Sequence, residues 1–582
     1  MRTLATKQTA INQYNGLGNQ LWDLSGQRPT LDLRFAEDRT LVDATTGSNL
    51  VDFTRQSSGT YVGSDGLIKT ATTNLLLRSE EFNDAVWVAS VGVSVTVNQI
   101  EAPNGTLTAD LIAFGAADKT FRQDVVGVNG TTYTASFYVK GTAGETLRVG
   151  STGIPGVVAN RTLTGGWDRF TFTGVSNQTT IGLLLSTFGG ATARNIYLWG
   201  AQLEQSDTVG EYVKTTSTIN SAPRFDHDPT TGESLGLLVE ESRTNLYVYS
   251  EDASQWDYTN GSYYLDAAAI APDGSAGAYV VYPTSSIPRI NPGNISLVSG
   301  TRYTFSVFCK AKEFSTIACF WNTTLIDPNV YGSTTFVNLN TGVSSDPSIV
   351  QTVGYPNGWW RLIINGALAD GNGSAHVTIV PGSTGSPNAI VPNGTDGIYA
   401  WGAQMEASAS FPTSYIPTEG STVTRAADVA SITGTNFSSW YEQSEGTVFY
   451  EGQVLGSASS NKNMLGLSNG TANETAYMFI PSGSNQRFKV VVGGVQQVLQ
   501  NAIITADVYS PSKSAFALKL DSTTCAGNGT VQSENTSCLI PAVDRFIFGA
   551  VSTGESLLAA RYKRLTYWPT RLSNDTLQTI TT

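Results

Sequence analysis

The chain has 582 residues and a formal net charge of −13, with only 14% of its residues charged. A protein this acidic is repelled by a phosphate backbone, so nucleic acid is excluded as an expected partner. No stretch approaches about 18 apolar residues, so membrane insertion is not predicted either. Glycine occurs 58 times and Thr, Ser and Asn are plentiful, a composition typical of β-sheet with polar turns.

Residues 1–70 are predicted to form an N-terminal arm followed by a small β segment. The first 25 or so residues are polar, and Gly16 and Gly18 interrupt any helical stripe, so this stretch is expected to become ordered only against a partner. It contains no apolar segment of the kind that a secretory signal needs, and folding in a cytoplasm is expected. Leu31 to Phe35 alternates as a strand does, and Asp65-Gly66 predicts a tight hairpin.

The middle of the chain contains a duplicated module. An eight-residue phrase reads YLWGAQLE at 197–204 and YAWGAQME at 399–406, and other matches precede both copies in the same order. Trp87 and Trp256 are 169 residues apart, whereas the tryptophans of the two phrases are 202 apart. The second copy therefore carries roughly 30 extra residues in its later half, where insertions normally form surface loops.

Period-two patterns, closely spaced turn residues and the lack of a long helical stripe predict an all-β protein. Each repeat is expected to be an antiparallel β-sandwich of the jelly-roll kind. The predicted divisions are 71–218 for the first module, 219–243 for a linker, 244–420 for the second module and 421–582 for a C-terminal sandwich. Within the linker, one strand is predicted at 235–239, and Asp226-His227-Asp228 is interpreted as a solvated turn before Pro229 rather than a metal cluster.

Aromatic residues are the chief candidates for binding, because sugar rings stack their C–H faces on Trp and Tyr. Tryptophans at paired positions are expected to be core, since shared packing best explains residues present in both copies; the pairs are Trp87/Trp256, Trp167/Trp359 and Trp199/Trp401. Other aromatic residues of the second copy lack such partners. They are predicted to be surface residues that bind glycans, namely Tyr258, Tyr263, Tyr264, Trp321 and Trp360.

Catalytic sites find little support in the sequence. Two histidines, His227 and His376, are too few for a multi-histidine zinc site and make a Ser-His-Asp triad improbable. Glycoside hydrolysis needs two carboxyl groups about 5 to 10 Å apart, and no pair stands out, so the protein is not expected to be an enzyme. The carboxylates weighed for that role are Glu240, Glu241, Asp252 and Asp257. Whether Cys309/Cys319 or Cys525/Cys538 form disulfides stays open.

The phrases TNLLLRSEEF and TNLYVYSED, each followed by a tryptophan, then YTASFYVK or YTFSVFCK, and finally YLWGAQLE, resemble the CenC-like carbohydrate-binding modules of bacteriophage fibre proteins. PRFDHDPTTGESLGLLVEESRTNL and SYIPTEGSTVTRAADVASI resemble stretches of phage tail and capsid fibre proteins. EGTVFYEG and RYKRLTYWPTRLSNDTLQTI are similar to parts of concanavalin-like, laminin-G-type lectin domains.

This resemblance implies a virion fibre or spike protein, assembled in the host cytoplasm, with the lectin-like domain distal. Its N-terminal arm would bind other virion proteins, its chains would form homo-oligomers with trimers as the expected form, and its outer modules would display surfaces for host glycans. Two alternatives stay open. One is a capsid decoration or cement protein that binds no sugar, and the other is a polysaccharide depolymerase.

The resemblance also implies structural calcium, held by a glutamate near the first strand and by acidic residues in the last strand. Glu80, Glu81 and Glu251 could fill the first role. The last strands, however, carry Trp-Gly at 199–200 and 401–402, and calcium needs several oxygen ligands. No cofactor is therefore predicted.

Overall fold

The computed structural model describes residues 20–286, 288–326, 334–382, 392, 394–456, 462–481, 485–504, 510–550 and 558–582. Its contacts divide the chain into two compact units. The small unit is Thr54–Ser58 with Thr70–Ala222, and the large unit is Met1–Phe53, Gly59–Lys69 and Pro223–Thr582. Nearly all regular structure is antiparallel β-sheet, as predicted. Among the described residues, no helix is long and apolar enough to cross a membrane.

The segment before the first module contains two short helices and four short strands. These are α1 (Gln20–Ser25), β1 (Leu31–Leu33), α2 (Phe35–Asp38), β2 (Asp52–Thr54), β3 (Thr60–Val62) and β4 (Ile68–Thr70). The strand predicted over 31–35 ends at Leu33, because Phe35 already begins α2. β3 and β4 form the hairpin predicted at Asp65-Gly66, where Gly66 has a φ of 76°. The predicted arm before Gln20 lies outside the described residues.

The first module is a sandwich of two five-stranded sheets. Its strands are β5 (Thr73–Asn74), β6 (Val88–Ala89), β7 (Val93–Ile100), β8 (Ala109–Phe114), β9 (Thr120–Val126), β10 (Thr132–Gly141), β11 (Thr146–Thr152), β12 (Ala159–Thr162), β13 (Asp168–Val175), β14 (Thr180–Ser186), β15 (Asn195–Glu204) and β16 (Asn220–Ser221). One sheet has the order β13-β10-β15-β8-β7 and the other β12-β11-β14-β9-β6. Apolar residues at alternate strand positions, such as Phe137 and Leu183, fill the space between them.

The second module repeats this architecture with one additional edge strand. After β17 (Arg224–His227) and β18 (Ser234–Val239), its strands are β19 (Arg243–Asn245), β20 (Asp257–Thr259), β21 (Gly261–Ile270), β22 (Ala276–Pro283), β23 (Arg289–Asn291), β24 (Ile295–Leu297), β25 (Arg302–Ala311), β26 (Thr316–Trp321), β27 (Thr335–Asn338), β28 (Val350–Tyr355), β29 (Trp359–Leu368), β30 (Gly373–Ala375), β31 (Val377–Pro381), β32 (Ile398–Ala407) and β33 (Val423–Arg425). The sheets have the orders β21-β22-β32-β25-β29-β28 and β20-β23-β31-β26-β27. The extra edge strand β28 comes from the predicted insertion.

The C-terminal sandwich recruits strands from three parts of the chain. Its own elements are β34 (Val429–Thr433), α3 (Gly434–Ser438), β35 (Glu445–Val454), β36 (Lys462–Ser468), β37 (Thr475–Ile480), β38 (Gln486–Val492), β39 (Val495–Ile504), β40 (Ser512–Lys519), β41 (Thr524–Gly527), β42 (Thr530–Val531), β43 (Arg545–Phe548), β44 (Ala560–Trp568) and α4 (Asn574–Thr581). One sheet runs β17-β18-β44-β35-β40-β41-β42, with β1 also paired to β44, and the other runs β2-β34-β43-β36-β37-β38-β39. Ser573 caps α4 by accepting from the Thr576 amide.

Two segments that the sequence analysis assigned to other parts of the chain, one within 1–70 and one within 219–243, therefore contribute to the core of the C-terminal sandwich. Leu31, Leu33 and Phe35 of the predicted small β segment lie in the same apolar cluster as Leu237 and Val239 of the predicted linker. Burying an aliphatic or aromatic side chain stabilises a fold by about 1.5 to 3 kcal/mol. Several such residues bind both segments to the C-terminal sandwich. The strand predicted at 235–239 is confirmed as β18.

The Trp-Gly phrase lies at a bulge in both modules. The pairing of β10 with β15 shifts between Ser136 and Tyr138, and β25 with β32 shifts likewise between Ser306 and Phe308. Gly402 has a φ of 65°, and a Cβ atom there would lie 2.9 Å from the Phe308 ring. Glycine is thus required for both its backbone conformation and its close packing.

Five of the six paired tryptophans are buried, and Trp167 is half-buried. Trp401 does not lie between the two sheets. It lies on the outer face of the six-stranded sheet, where Tyr415, from the segment after β32, covers it with ring centroids 4.7 Å apart. Trp199 and Tyr212 repeat this contact at 4.6 Å in the first module. Each module is therefore closed by its own trailing segment.

Candidate functional site

Three tyrosines lie together on the outer face of the six-stranded sheet of the second module. This group, Tyr264, Tyr282 and Tyr399, is called the tyrosine face. Strand alternation puts Tyr264 and Asp266 of β21 on the same side, and Tyr282 of β22 joins them with its ring centroid 5.9 Å from that of Tyr264. Val280 pairs with both Tyr264 and Tyr399, which brings Tyr399 of β32 into the same row. All three tyrosine rings are partly exposed.

Charged groups surround these rings. The Tyr399 hydroxyl donates to Oδ2 of Asp266 at 2.8 Å. This hydrogen bond is the main reason that the pKa of Asp266 lies below its ordinary value, while burial and the nearby carboxylate raise the pKa of Tyr399 to about 12. Lys312 Nζ lies 5.9 Å from the Tyr264 ring centroid, and Lys310 Nζ lies 5.7 Å from that of Tyr399. The face thus combines aromatic rings with an ionised acceptor and two ammonium groups, of which that of Lys312 is also paired with Glu313.

This arrangement suits binding rather than acid–base chemistry. Tyrosine rings offer apolar faces, and the carboxylate and ammonium groups can bond to hydroxyl groups of a ligand. A general acid of a glycosidase needs a raised pKa, so that it is protonated at working pH. Asp266 has a lowered pKa instead and stays ionised.

Tyr263 and Tyr258 lie on the opposite side of β21 from Tyr264. Tyr263 is 38% exposed, and its ring centroid lies 5.3 Å from that of Tyr258 and 6.0 Å from that of Tyr279. The Tyr258 hydroxyl donates to the carbonyl of Ala253 at 2.7 Å, and its ring packs against the module core. Tyr263 and Tyr264 therefore cannot contact one ligand from the same face.

The surface prediction is wrong for Trp321 and only partly right for Trp360 and Tyr258, which both pack against the module core. Trp321 is 1% exposed and lies between the sheets, because it faces inward from β26 opposite Val377. Trp360 is half-buried, and its Nε1 donates to the carbonyl of Leu339 at 2.8 Å. Its ring fills the space beside Gly342, where a Cβ atom would come within 2.1 Å. Trp321 stands in β26 where the matching strand β11 has the buried Ser151, so lacking an aromatic counterpart in the first copy did not mean exposure.

Tyr282 and Tyr399 were not predicted as site residues. Tyr399 belongs to the repeated phrase, so its recurrence as Tyr197 concealed that the two positions have different surroundings. Strand β7 of the first module reads VSVTVNQI and contains no aromatic residue, whereas β21 contains two tyrosines.

The residues weighed for calcium do not fit that ion. Oε2 of Glu80 lies 2.7 Å from Nζ of Lys214, so an ammonium group already neutralises this carboxylate, and Glu81 pairs with Arg78 at 2.6 Å. Glu251 accepts from the Tyr415 hydroxyl, and burial is the main cause that raises its pKa to about 7. In the described ranges, no three His, Cys, Asp or Glu side chains form a group that could hold a metal.

The carboxylates weighed for hydrolysis have structural partners. Glu240 is buried against Arg224 at 2.8 Å, and Glu241 pairs with Arg243 at 2.6 Å. Asp252 accepts from the Ser254 amide, and Asp257 accepts from the Asn294 side chain.

The Asp226-His227-Asp228 segment is not the solvated turn that was predicted. Asp226 and His227 are buried in β17, and Asp226 pairs with Arg561 at 2.7 Å. Asp228 does cap a turn, accepting from the amides of Thr230 and Thr231. All four cysteines are buried free thiols.

No protein-family model matches the sequence, and no curated protein matches it. Among solved structures, the tandem CBM22-1–CBM22-2 domain of Paenibacillus barcinonensis Xyn10C aligns with 13% identity over 58% of this chain and 98% of that chain, with a TM-score of 0.22. The CBM40 of a Ruminococcus gnavus sialidase, bound to α2,3-sialyllactose, aligns with 14% identity over 24% of this chain and 84% of its own, with a TM-score of 0.22.

Tailspike protein 4 of bacteriophage CBA120 aligns with 15% identity over 23% of this chain and 21% of its own, with a TM-score of 0.19. The similar structures are thus mostly carbohydrate-binding modules. Similarity at these scores does not bear on the ligand of this chain.

Proposed function

We propose that this protein binds carbohydrate through the tyrosine face of its second module. The observation that carries this proposal is the grouping of Tyr264, Tyr282 and Tyr399 around the Asp266 carboxylate and the Lys312 ammonium group. Rings in one row can stack on successive faces of a saccharide, while the charged groups orient its hydroxyls. Binding without hydrolysis fits a face whose carboxylate remains ionised.

A glycan array that includes bacterial surface polysaccharides tests this proposal with the full chain. Tyr264→Ala should weaken binding by about tenfold or more, since one well-packed aromatic contact contributes about 1 to 3 kcal/mol in stacking sites. Tyr197→Ala is the matched control, because Tyr197 holds the place of Tyr399 in the first module, whose strand β7 has no aromatic residue. Equal loss in both variants, or none in Tyr264→Ala, would count against the tyrosine face.

We further propose that the protein acts within a virion, as a fibre or spike that attaches to host glycans. Support comes from the phage-like phrases of the sequence and from the repeated sandwiches. If the protein bound no glycan at all, the capsid decoration role would be favoured instead. New reducing ends released from host polysaccharide would favour a depolymerase.

In this role the N-terminal arm would bind other virion proteins, and the C-terminal sandwich would be lectin-like. Leu21 of α1 packs beside Leu577 and Ile580 of α4, so the first described helix lies on the C-terminal sandwich. The particle would then lie next to that sandwich rather than far from it, unlike the distal placement expected from sequence. Labelling the C-terminus in virion images tests this order, and light scattering tests the proposed trimer.

A further inference from the structure

A cleft of about 340 Å³ lies within the large unit, away from the open tyrosine face. Val353 and Ile363 of the second module form one wall, Tyr61 of the hairpin forms another, and Gln453 and Arg561 of the C-terminal sandwich close it. Small-molecule sites in proteins start at about 300 Å³. The cleft therefore has room for one small organic molecule.

Arg361 lines this cleft with a buried guanidinium group. Its Nη2 donates to Oγ of Ser306 and to the carbonyl of Thr413, each at 3.0 Å, and the group lies 5.5 Å from the Phe308 ring centroid. All three are uncharged. Within the part of the chain that the structure describes, the Arg361 guanidinium forms no ion pair, and a buried charge without a counter-charge is costly.

The remaining charges around the cleft are already matched. Arg561 pairs with Asp226 at 2.7 Å, and Glu240 pairs with Arg224 at 2.8 Å. The Arg361 charge lowers the pKa of Glu406, but burial raises it more, so the pKa lies above its ordinary value. The Glu406 carboxylate accepts a hydrogen bond from the Thr413 hydroxyl and forms no ion pair with Arg361. Among the described residues, Arg361 is thus the one cation lining the cleft that has no carboxylate within ion-pair distance.

Hydrogen-bonding and apolar groups stand beside this charge. Gln351 and Val353 follow each other at alternate positions of β28 and are exposed, and the Tyr355 ring packs edge-on against Phe308 at 5.0 Å. Gln453 also lines the cleft, and its side-chain oxygen accepts from Arg561. Amides beside aromatic rings suit a ligand with several hydroxyl groups.

We propose that this cleft binds a small hydroxylated monocarboxylate, an acidic sugar of one ring, with its carboxylate on Arg361. The carboxylate supplies the counter-charge in a charge-assisted hydrogen bond, and Gln351 bonds to hydroxyls. The site is independent of the tyrosine face. Arg169 of the first module makes similar bonds to Ser136 and to the Gly210 carbonyl, so Arg361 also holds the trailing segment of its own module.

Isothermal titration of the full chain with D-glucuronate tests the proposal, with D-glucose as the neutral control. We expect glucuronate to bind at least about tenfold more tightly than glucose. Val353→Trp, which fills the cleft from an exposed position, and Arg361→Gln should each weaken glucuronate binding by about tenfold or more. Arg169→Gln and Tyr264→Ala should bind glucuronate as the wild type does.

Equal affinity for both sugars, or no glucuronate binding, would overturn the proposal. Unchanged glucuronate binding by Val353→Trp would also overturn it, and that variant decides the matter if Arg361→Gln does not fold. Because Tyr264→Ala disables only the tyrosine face, loss of array binding with retained glucuronate binding would separate the two sites.

Discussion

Glu251 accepts a hydrogen bond from the Tyr415 hydroxyl at 3.0 Å, whereas its counterpart Glu80 is also paired with Lys214. The Asn74 and Asn245 side chains donate to the carbonyls of Val213 and Ile416 respectively, which fixes the match between the trailing segments. Pro417 therefore stands where the first module has Lys214. The second module thus has the same carboxylate, Glu251, but lacks a lysine at the position of Lys214 that would neutralise it.

This difference predicts a pH-dependent stability for the second module. Burial raises the pKa of Glu251 to about 7, from an ordinary value of 4.5. Between these values the folded state binds more protons than the unfolded state, so the free energy of unfolding falls as the pH rises. Glu251→Gln should remove this contribution, and urea unfolding between about pH 5 and about pH 8 should give a flatter profile.

Glu80→Gln serves as the control for that experiment. It changes the same position in the first module and should leave the wild-type slope in place. A Glu251→Gln profile as steep as that of the wild type would show that other groups cause the slope.

Trp401→Ala should destabilise the second module strongly. The ring is buried under Tyr415 and beside Phe308, and deleting a buried Trp costs about 3 to 5 kcal/mol. Thermal unfolding should show an early transition in this variant, while Tyr264→Ala should melt as the wild type does. A normally melting Trp401→Ala protein that had lost only glycan binding would contradict this assignment.

The repeat could be predicted from sequence because it rests on local patterns. Alternation, turn residues and the paired phrases are enough to predict two sandwiches. The C-terminal sandwich could not be predicted in full, since β1 pairs with β44 across more than 500 residues of sequence. No local pattern reports such a pairing.

The site was predicted only in part for a similar reason. Tyr264 was identified by its lack of a partner in the first module, but the same reasoning selected the buried Trp321. The exposure of a side chain depends on which strands and segments pack over it, and the sequence does not show this. Tyr399 belongs to the tyrosine face because β32 pairs with β22 in the register that places Tyr399 beside Val280. The cleft at Arg361 is lined by residues from six separate stretches of the chain, and no pattern in the sequence indicated it.

Gly402→Ala should destabilise the second module more than Gly434→Ala does the C-terminal sandwich. Both glycines have positive φ, 65° and 56°, so both variants carry backbone strain of about 1 kcal/mol. Only Gly402 has a close neighbour, with the Phe308 ring 2.9 Å from the added Cβ, whereas Gly434 faces open space. Overpacking adds about 1 to 3 kcal/mol. Equal shifts in the two unfolding midpoints would contradict this reasoning.

Arg224→Met tests whether the predicted linker is part of the C-terminal sandwich. Arg224 of β17 is fully buried and lies 2.5 Å from Asp428 and 2.8 Å from Glu240, so its removal leaves two buried carboxylates short of a cation. Breaking such a network costs about 3 to 5 kcal/mol. Lys563→Met, which removes the partner of the exposed Glu233, should change stability by less than about 1 kcal/mol. Urea unfolding followed by tryptophan fluorescence measures both, and a loss confined to the C-terminal sandwich and β17–β18 is expected. If Arg224→Met unfolds no more easily than Lys563→Met, residues 224–239 serve as a tether rather than as part of that sandwich.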